Sequence, residues 1–199
     1  MAFGAVPLAS KPLVTVAITT LNRVGFLRAS LNSVLAQDYP RLDILVSDNG
    51  SCADALDSIR EIIGTSACVR FRHNQVTVPL TDHCSQCVDA ALGEYFVLLH
   101  DDDQISANFV SELVRVANMH SDVNVVVPTN ALIDEEGALI KTFDSPTDEV
   151  LDGTELVLHW LQGAEPQYFA NLTTLLLRTS TVRQLGGYRS LGGTRNNDN

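Results

Sequence analysis

"LVTVAITTLNRVGFLRASLNSVL", residues 13–35, runs from aliphatic and β-branched residues through a polar turn into a helical period. Leu13 to Thr19 shows little polar alternation, which suits a strand buried on both faces of a sheet. Past the turn, Val24, Leu27, Leu31, Val34 and Leu35 share one helical face, Asn22 stands where an N-cap is expected, and "DYP" (38–40) stops the helix. The same passage from strand to helix recurs downstream. "LDILVSD" (42–48), "VRFR" (69–72), "YFVLLH" (95–100) and "VNVVVP" (123–128) read as strands, and a second apolar stripe runs through Phe109, Val110, Leu113, Val116 and Ala117. Weaker helical patterns cover Asp54 to Ile63 and Thr81 to Leu92. Alternating strands and helices imply parallel pairing through right-handed crossovers. The expected fold class is α/β, an open, mostly parallel twisted sheet with helices on both faces.

Composition limits what such a sheet can do. The 199 residues, 45% hydrophobic and 19% charged, suffice for one α/β core. Thirteen Lys and Arg against 24 Asp and Glu give a net charge of −11, which opposes a phosphate backbone or an anionic membrane surface. A nucleic-acid role is therefore not expected. No apolar run reaches the roughly 18 residues of a membrane helix, and the first residues lack the basic opening of a secretory signal. The expectation is a cytoplasmic protein. Cys52, Cys68, Cys84 and Cys87 do not form a disulfide framework in a chain of this size; Cys84 and Cys87 make a C-x-x-C, but on a helix and without a second pair, which favours buried thiols over zinc or redox chemistry. The "NLT" at Asn171 matches a glycosylation acceptor and is discounted for want of a secretion signal.

The second half is organised differently. Ala131 to Phe143 has two apolar runs around an acidic, Gly-containing turn and reads as a hairpin. Asp152 to Leu161 begins like a capped helix, Asn171 to Arg178 reads as a strand, and Thr179 to Gly187 as a short helix ended by glycine. One domain, 1–199, is expected, with residues 1–130 as a ligand-binding half and 131–199 as the half facing the second substrate.

In open α/β sheets, ligands gather at the carboxyl ends of the strands. Here those ends are "TTLNR" (19–23), "SDNGS" (47–51), "RHN" (72–74) and "HDDD" (100–103), and they should converge at one edge. Asp101, Asp102 and Asp103 repel one another, so they either stay partly protonated or gather a cation; the alternative is a solvated acidic turn. Hard divalent ions take oxygen ligands and often only one or two carboxylates, leaving the rest to phosphate and water. Hydroxyls, an amide and a cation in "TTLNR", with Asp48 able to accept from a base N–H or a ribose hydroxyl, fit a pocket for a nucleotide sugar.

These stretches together resemble the family 2 glycosyltransferases of the GT-A fold. The resemblance is carried by "VTVAITTLNR", "LNSVLAQDYPRLDILVSDNGS", "ALGEYFVLLHDDD" and "LLLRTSTVRQLGGYR", in that order. It implies a metal-dependent inverting transferase that moves a sugar from a nucleoside diphosphate to an acceptor hydroxyl, with Mn²⁺ or Mg²⁺ as cofactor. The implied acceptor is a saccharide or a lipid-linked one, in polysaccharide or glycolipid assembly, which for a lipid would place the work at the inner face of the membrane. Thr20, Asn22, Arg23, Asp48 and Asp101 are then implied in nucleotide binding and Asp102 and Asp103 in metal binding. The register stays open: alignment from "GEY" puts His100 at the first acidic position and Asp102 at the metal, whereas alignment from Ile105 favours Asp101 and Asp103. The family's Ala-Arg-Asn-x-Gly stretch falls on His83, Cys84, Ser85, Gln86 and Cys87, so an expected arginine is absent and positive charge must come from Arg23, Arg72 or the metal. Thr19 and Leu21 replace the usual proline and aromatic of the first loop.

The resemblance also implies a general base soon after Gly186, Gly187 and Tyr188. Asp198 is the following carboxylate, with Asn197 in place of the usual glutamate, and its position next to last leaves the acceptor side looking incomplete at Asn199. Two other readings are weighed against this one. A sugar-phosphate nucleotidyltransferase would bring a Gly-rich, basic loop near the first strand, and "TTLNRVG" is poor in both. A non-catalytic module would bind nucleotide without turnover.

Overall fold

The computed structural model describes residues 11–64, 68–143, 150–155 and 173–188. Strands β1 (Val14–Thr20), β2 (Leu42–Asp48), β3 (Val69–His73), β4 (Tyr95–His100), β5 (Val125–Val126) and β8 (Leu176–Arg178) form one sheet in the order β3-β2-β1-β4-β8-β5. β6 (Asn130–Ile133) and β7 (Leu139–Phe143) form the separate hairpin expected there. The first four strands pair in parallel, with β1 central and Thr20 level with Asp48.

Side-chain alternation divides the core. One face carries Val14, Val16, Ile18, Ile44, Val46, Val97 and Leu99 under helices α1 (Val24–Leu35), α2 (Ala53–Ile63) and α4 (Phe109–Met119). The other carries Ala17, Leu45, Phe96 and Leu98 under α3 (Leu80–Ala90) and α5 (Thr179–Gln184). Strands buried on both sides, such as β1, are thus explained by helices on both faces. Gly93 lets the chain enter β4: a Cβ there would lie 2.5 Å from the Thr15 amide nitrogen and 2.6 Å from the Tyr95 carbonyl oxygen.

Two expectations need correction. The strand anticipated over 123–128 shrinks to two residues, because β5 is the sheet's edge and Pro128 has no N–H to donate. β5 pairs with β8 in antiparallel fashion, as β8 does with β4, beside four parallel strands, so the sheet is mostly parallel as expected. Asn22 does not cap α1. Its φ of +58° turns the carboxamide away, and Oδ1 accepts the Cys52 N–H at 2.9 Å, at the start of α2. Of the helix expected from Asp152 to Leu161, residues 153–155 are helical, with Asp152 Oδ1 accepting the Thr154 N–H at 2.8 Å, and 156–161 lie outside the described residues.

Candidate active site at the strand ends

The carboxyl ends of β1, β2, β3 and β4 meet as anticipated. At β2, Asp48 is completely buried, and its carboxylate accepts hydrogen bonds from Gly50 N–H (3.1 Å), Ser51 N–H (2.9 Å), the Ser51 hydroxyl and His73 Nδ1 (2.7 Å). Four donors on two oxygens leave this carboxylate little to offer a ligand. His73, on the neighbouring strand β3, is partly exposed and turns its Nδ1 to this carboxylate. His73 lies within the "RHN" strand end but was not singled out from sequence; its bond to Asp48 shows only when β2 and β3 are placed in register.

At β4 the three aspartates separate. Asp101 turns inward, buried, taking the Thr20 hydroxyl at 2.8 Å and Arg23 Nη1 at 3.0 Å. Burial is the largest influence on its carboxyl and holds it above the usual range, against the pull of Thr20 and Arg23. Asp102 points outward and meets Arg23 Nη2 at 3.0 Å. Asp103 accepts the Thr173 hydroxyl at 2.9 Å. One guanidinium therefore spans two neighbouring carboxylates, and it rests over the Phe26 ring at 4.5 Å.

An open cleft of about 500 Å³ lies beside them, lined by Arg23, Phe26, His100, Asp102, Asp103 and Thr173 on one side and by residues 131–135 of the hairpin on the other. The hairpin adds Asp134 and Glu135 to its wall, carboxylates that the sequence did not tie to the site. Asp101 does not line the cleft, while His100, Asp102 and Asp103 do. Among the described residues no three His, Cys, Asp or Glu side chains converge as a cage for a metal ion. A hard ion that takes one or two protein carboxylates and fills its other positions from a diphosphate and water would need no such cage, and Asp102 and Asp103 offer carboxylates of that kind at the cleft.

Below the opposite face, His83 is buried with Nε2 on the Ser47 hydroxyl at 2.8 Å, and burial with the nearby Arg72 charge pushes it down to about 4. It is neutral at physiological pH. Cys84 and Cys87 are buried free thiols, each pushed up to about 11 chiefly by burial, which makes them core residues rather than nucleophiles. The Gly187–Tyr188 turn is clasped to α3 through Ser85, whose hydroxyl accepts the Tyr188 N–H and donates to the Tyr188 carbonyl, both at 3.0 Å. Asp198 and Asn171 lie outside the described residues. No helix among the described residues is long and apolar enough to cross a membrane.

Comparison with known proteins agrees with this geometry. Residues 15–157 match the family model described as glycosyl transferase family 2. The chain is 29% identical over 133 residues to the GalNAc(5)-diNAcBac-PP-undecaprenol beta-1,3-glucosyltransferase of Campylobacter jejuni, a match covering 66% of this chain and 42% of that enzyme. Among solved structures it resembles Staphylococcus aureus TarS residues 1–349 in complex with UDP (TM-score 0.67, 17% identity, 88% of this chain and 49% of that one). It also resembles the mannosyltransferase PcManGT of Pyrobaculum calidifontis in complex with GDP-Man and Mn²⁺ (TM-score 0.61, 16% identity, 95% and 51%). The chain thus spans about half or less of the length of these relatives. A mostly parallel sheet with helices on both faces, a polar cleft at its strand ends and a family match over most of the chain lead to one conclusion: the chain has the GT-A fold and belongs to glycosyltransferase family 2.

Proposed function

We propose that the chain carries the donor site of an inverting glycosyltransferase that passes a sugar from a nucleoside diphosphate to the hydroxyl of a saccharide or lipid-linked acceptor. The observation that carries the reading is the cleft at the carboxyl ends of β1 and β4, where Arg23, His100, Asp102 and Asp103 come together. The UDP held by one structural neighbour and the GDP-Man and Mn²⁺ held by another support it.

In this reading residues 1–130 hold the nucleotide and 131–199 face the acceptor. Thr20 and Asp48 act indirectly: Thr20 fixes Asp101, and Asp48 fixes the tautomer of His73. His73 Nε2 then accepts from a base that presents a ring N–H, as uracil, thymine and guanine do and cytosine does not. Asn22 ties the β1 loop to the start of α2 and shapes the floor of the site. Asp102 and Asp103 would hold Mn²⁺ or Mg²⁺, which when bound offsets the charge of the leaving diphosphate. Asp198 takes the proton of the acceptor hydroxyl as its oxygen bonds to the anomeric carbon and the bond from that carbon to the diphosphate oxygen breaks. A single displacement of this kind inverts the anomeric centre.

Thermal shift tests the donor site. UDP, GDP or dTDP with Mn²⁺ raises the melting temperature, CDP does so least, and ligand at 100 times its Kd contributes about 2.7 kcal/mol. Asp102→Asn and Asp103→Asn each weaken the metal-dependent part. A melt that no nucleotide moves, with or without Mn²⁺, refutes the reading.

A further inference from the structure

The described walls of the cleft carry four carboxylates, Asp102, Asp103, Asp134 and Glu135, and a single Lys or Arg side chain, Arg23. A diphosphate entering between those walls meets net negative charge, and the guanidinium that could receive it is already committed. Nη1 and Nη2 each lie 3.0 Å from a carboxylate oxygen, of Asp101 and Asp102 respectively. An ion approaching Asp102 meets the same obstacle from the other side, since a resident cation holds the carboxylate it needs.

From this geometry, and resting on the donor-site reading above, we infer that Arg23 is an exchangeable counter-ion. It neutralises Asp102 in the ligand-free protein, a divalent ion displaces it, and the released guanidinium becomes a ligand for the donor diphosphate. Two features favour an exchange over a fixed ion pair. Asp102 and Arg23 are both substantially exposed, with side-chain accessibilities of 45% and 42%, so the contact between them is weak. Asp101, by contrast, is buried and keeps its Thr20 hydrogen bond when Arg23 turns. The Phe26 ring below the guanidinium offers a surface over which it can swing while keeping a cation–π contact. Metal and Arg23 therefore compete for Asp102, yet cooperate once diphosphate is present.

That combination gives opposite signs for one substitution. Mn²⁺ titrations followed by the electron paramagnetic resonance of free Mn²⁺, without nucleotide, are run on the wild type, Arg23→Met and Arg23→Lys. Arg23→Met is expected to bind Mn²⁺ about threefold to tenfold more tightly, the scale of removing one nearby positive charge in a solvated site. Arg23→Lys, a point charge that cannot span both carboxylates, falls between them. Adding Asp102→Asn to Arg23→Met abolishes the gain. In saturating Mn²⁺, calorimetry with UDP and GDP should show Arg23→Met weakened about tenfold or more for whichever nucleotide the wild type binds. Unchanged or weaker Mn²⁺ binding by Arg23→Met overturns the competition, and undiminished nucleotide affinity overturns the transfer to diphosphate. A wild type that binds neither nucleotide refutes the donor-site reading instead, while the nucleotide-free Mn²⁺ comparison still decides whether Arg23 and metal compete.

Discussion

The clasp between α3 and the turn after α5 supports a worked prediction. Gly187 sits at φ +76°, where an L residue costs roughly 1–2 kcal/mol. A Cβ added there would lie 2.7 Å from Ser85 Oγ, too close for both atoms to stay. Ser85 Oγ cannot retreat without giving up both of its hydrogen bonds to Tyr188, each worth about 1 kcal/mol. Gly187→Ala should therefore destabilise by about 3 kcal/mol, summing strain and the lost clasp. Ser85→Ala alone should cost about 1–2 kcal/mol. In the double variant the obstructing hydroxyl is gone and its hydrogen bonds are already lost. The pair then costs about as much as Gly187→Ala by itself, some 1–2 kcal/mol less than the sum of the singles. Urea unfolding of the four proteins, with the denaturant slope unchanged, measures this directly. Additivity within about 0.5 kcal/mol would show that Ser85 and Gly187 do not share the contact, and the reasoning would fail.

Asp43 gives a pH test: burial works to raise its carboxyl, but hydrogen bonds from Arg70 and Thr15 outweigh it and hold the group below the usual range. Its contribution is complete above the ordinary carboxylate pKa and is lost as pH falls through the lowered folded value. Asp43→Asn should cost about 2–3 kcal/mol near neutrality, less than a fully buried pair because Arg70 is partly exposed, and should flatten the acid limb of stability against pH; an unchanged limb counts against the pair. Gly93→Ala, whose Cβ would meet three backbone atoms within 2.7 Å, should abolish soluble expression or remove more than about 4 kcal/mol by urea unfolding, and a near-native midpoint would contradict the close approach. His73→Phe should keep the fold by circular dichroism while narrowing the gap between UDP or GDP and CDP in the thermal-shift panel, whereas an undiminished gap would remove His73 from base selection.

The α/β class and the ends of the first four strands were legible because a run such as Val14 to Thr20, apolar or β-branched on both sides and without a charged residue, has no stable place except between two helical layers. The hairpin and the short helix before Gly186 were legible for the same local reason, since turn chemistry and glycine act on neighbouring residues. β5 was overestimated because the β-branched run from Val123 carries no sign that β8 would lie between it and β4 or that it would form an edge. Asn22 was misplaced because its residue type suits a cap, whereas a left-handed backbone sent its carboxamide to another helix. The acidic triplet was visible as a cluster, but the division of labour within it was not.

By itself, then, the sequence determined the strand and helix periods, the convergence of polar strand ends and the residue types available for binding an anion through a cation. Only the tertiary structure decided that Asp48 is buried under four donors, that His73 is one of them, and that Arg23 spans Asp101 and Asp102. The physical reason is that periodicity and turn chemistry are local, as with Gly50 and Ser51 on Asp48, whereas His73 on Asp48 and Thr20 and Arg23 on Asp101 are brought from 25 to 81 residues away by the register of the strands.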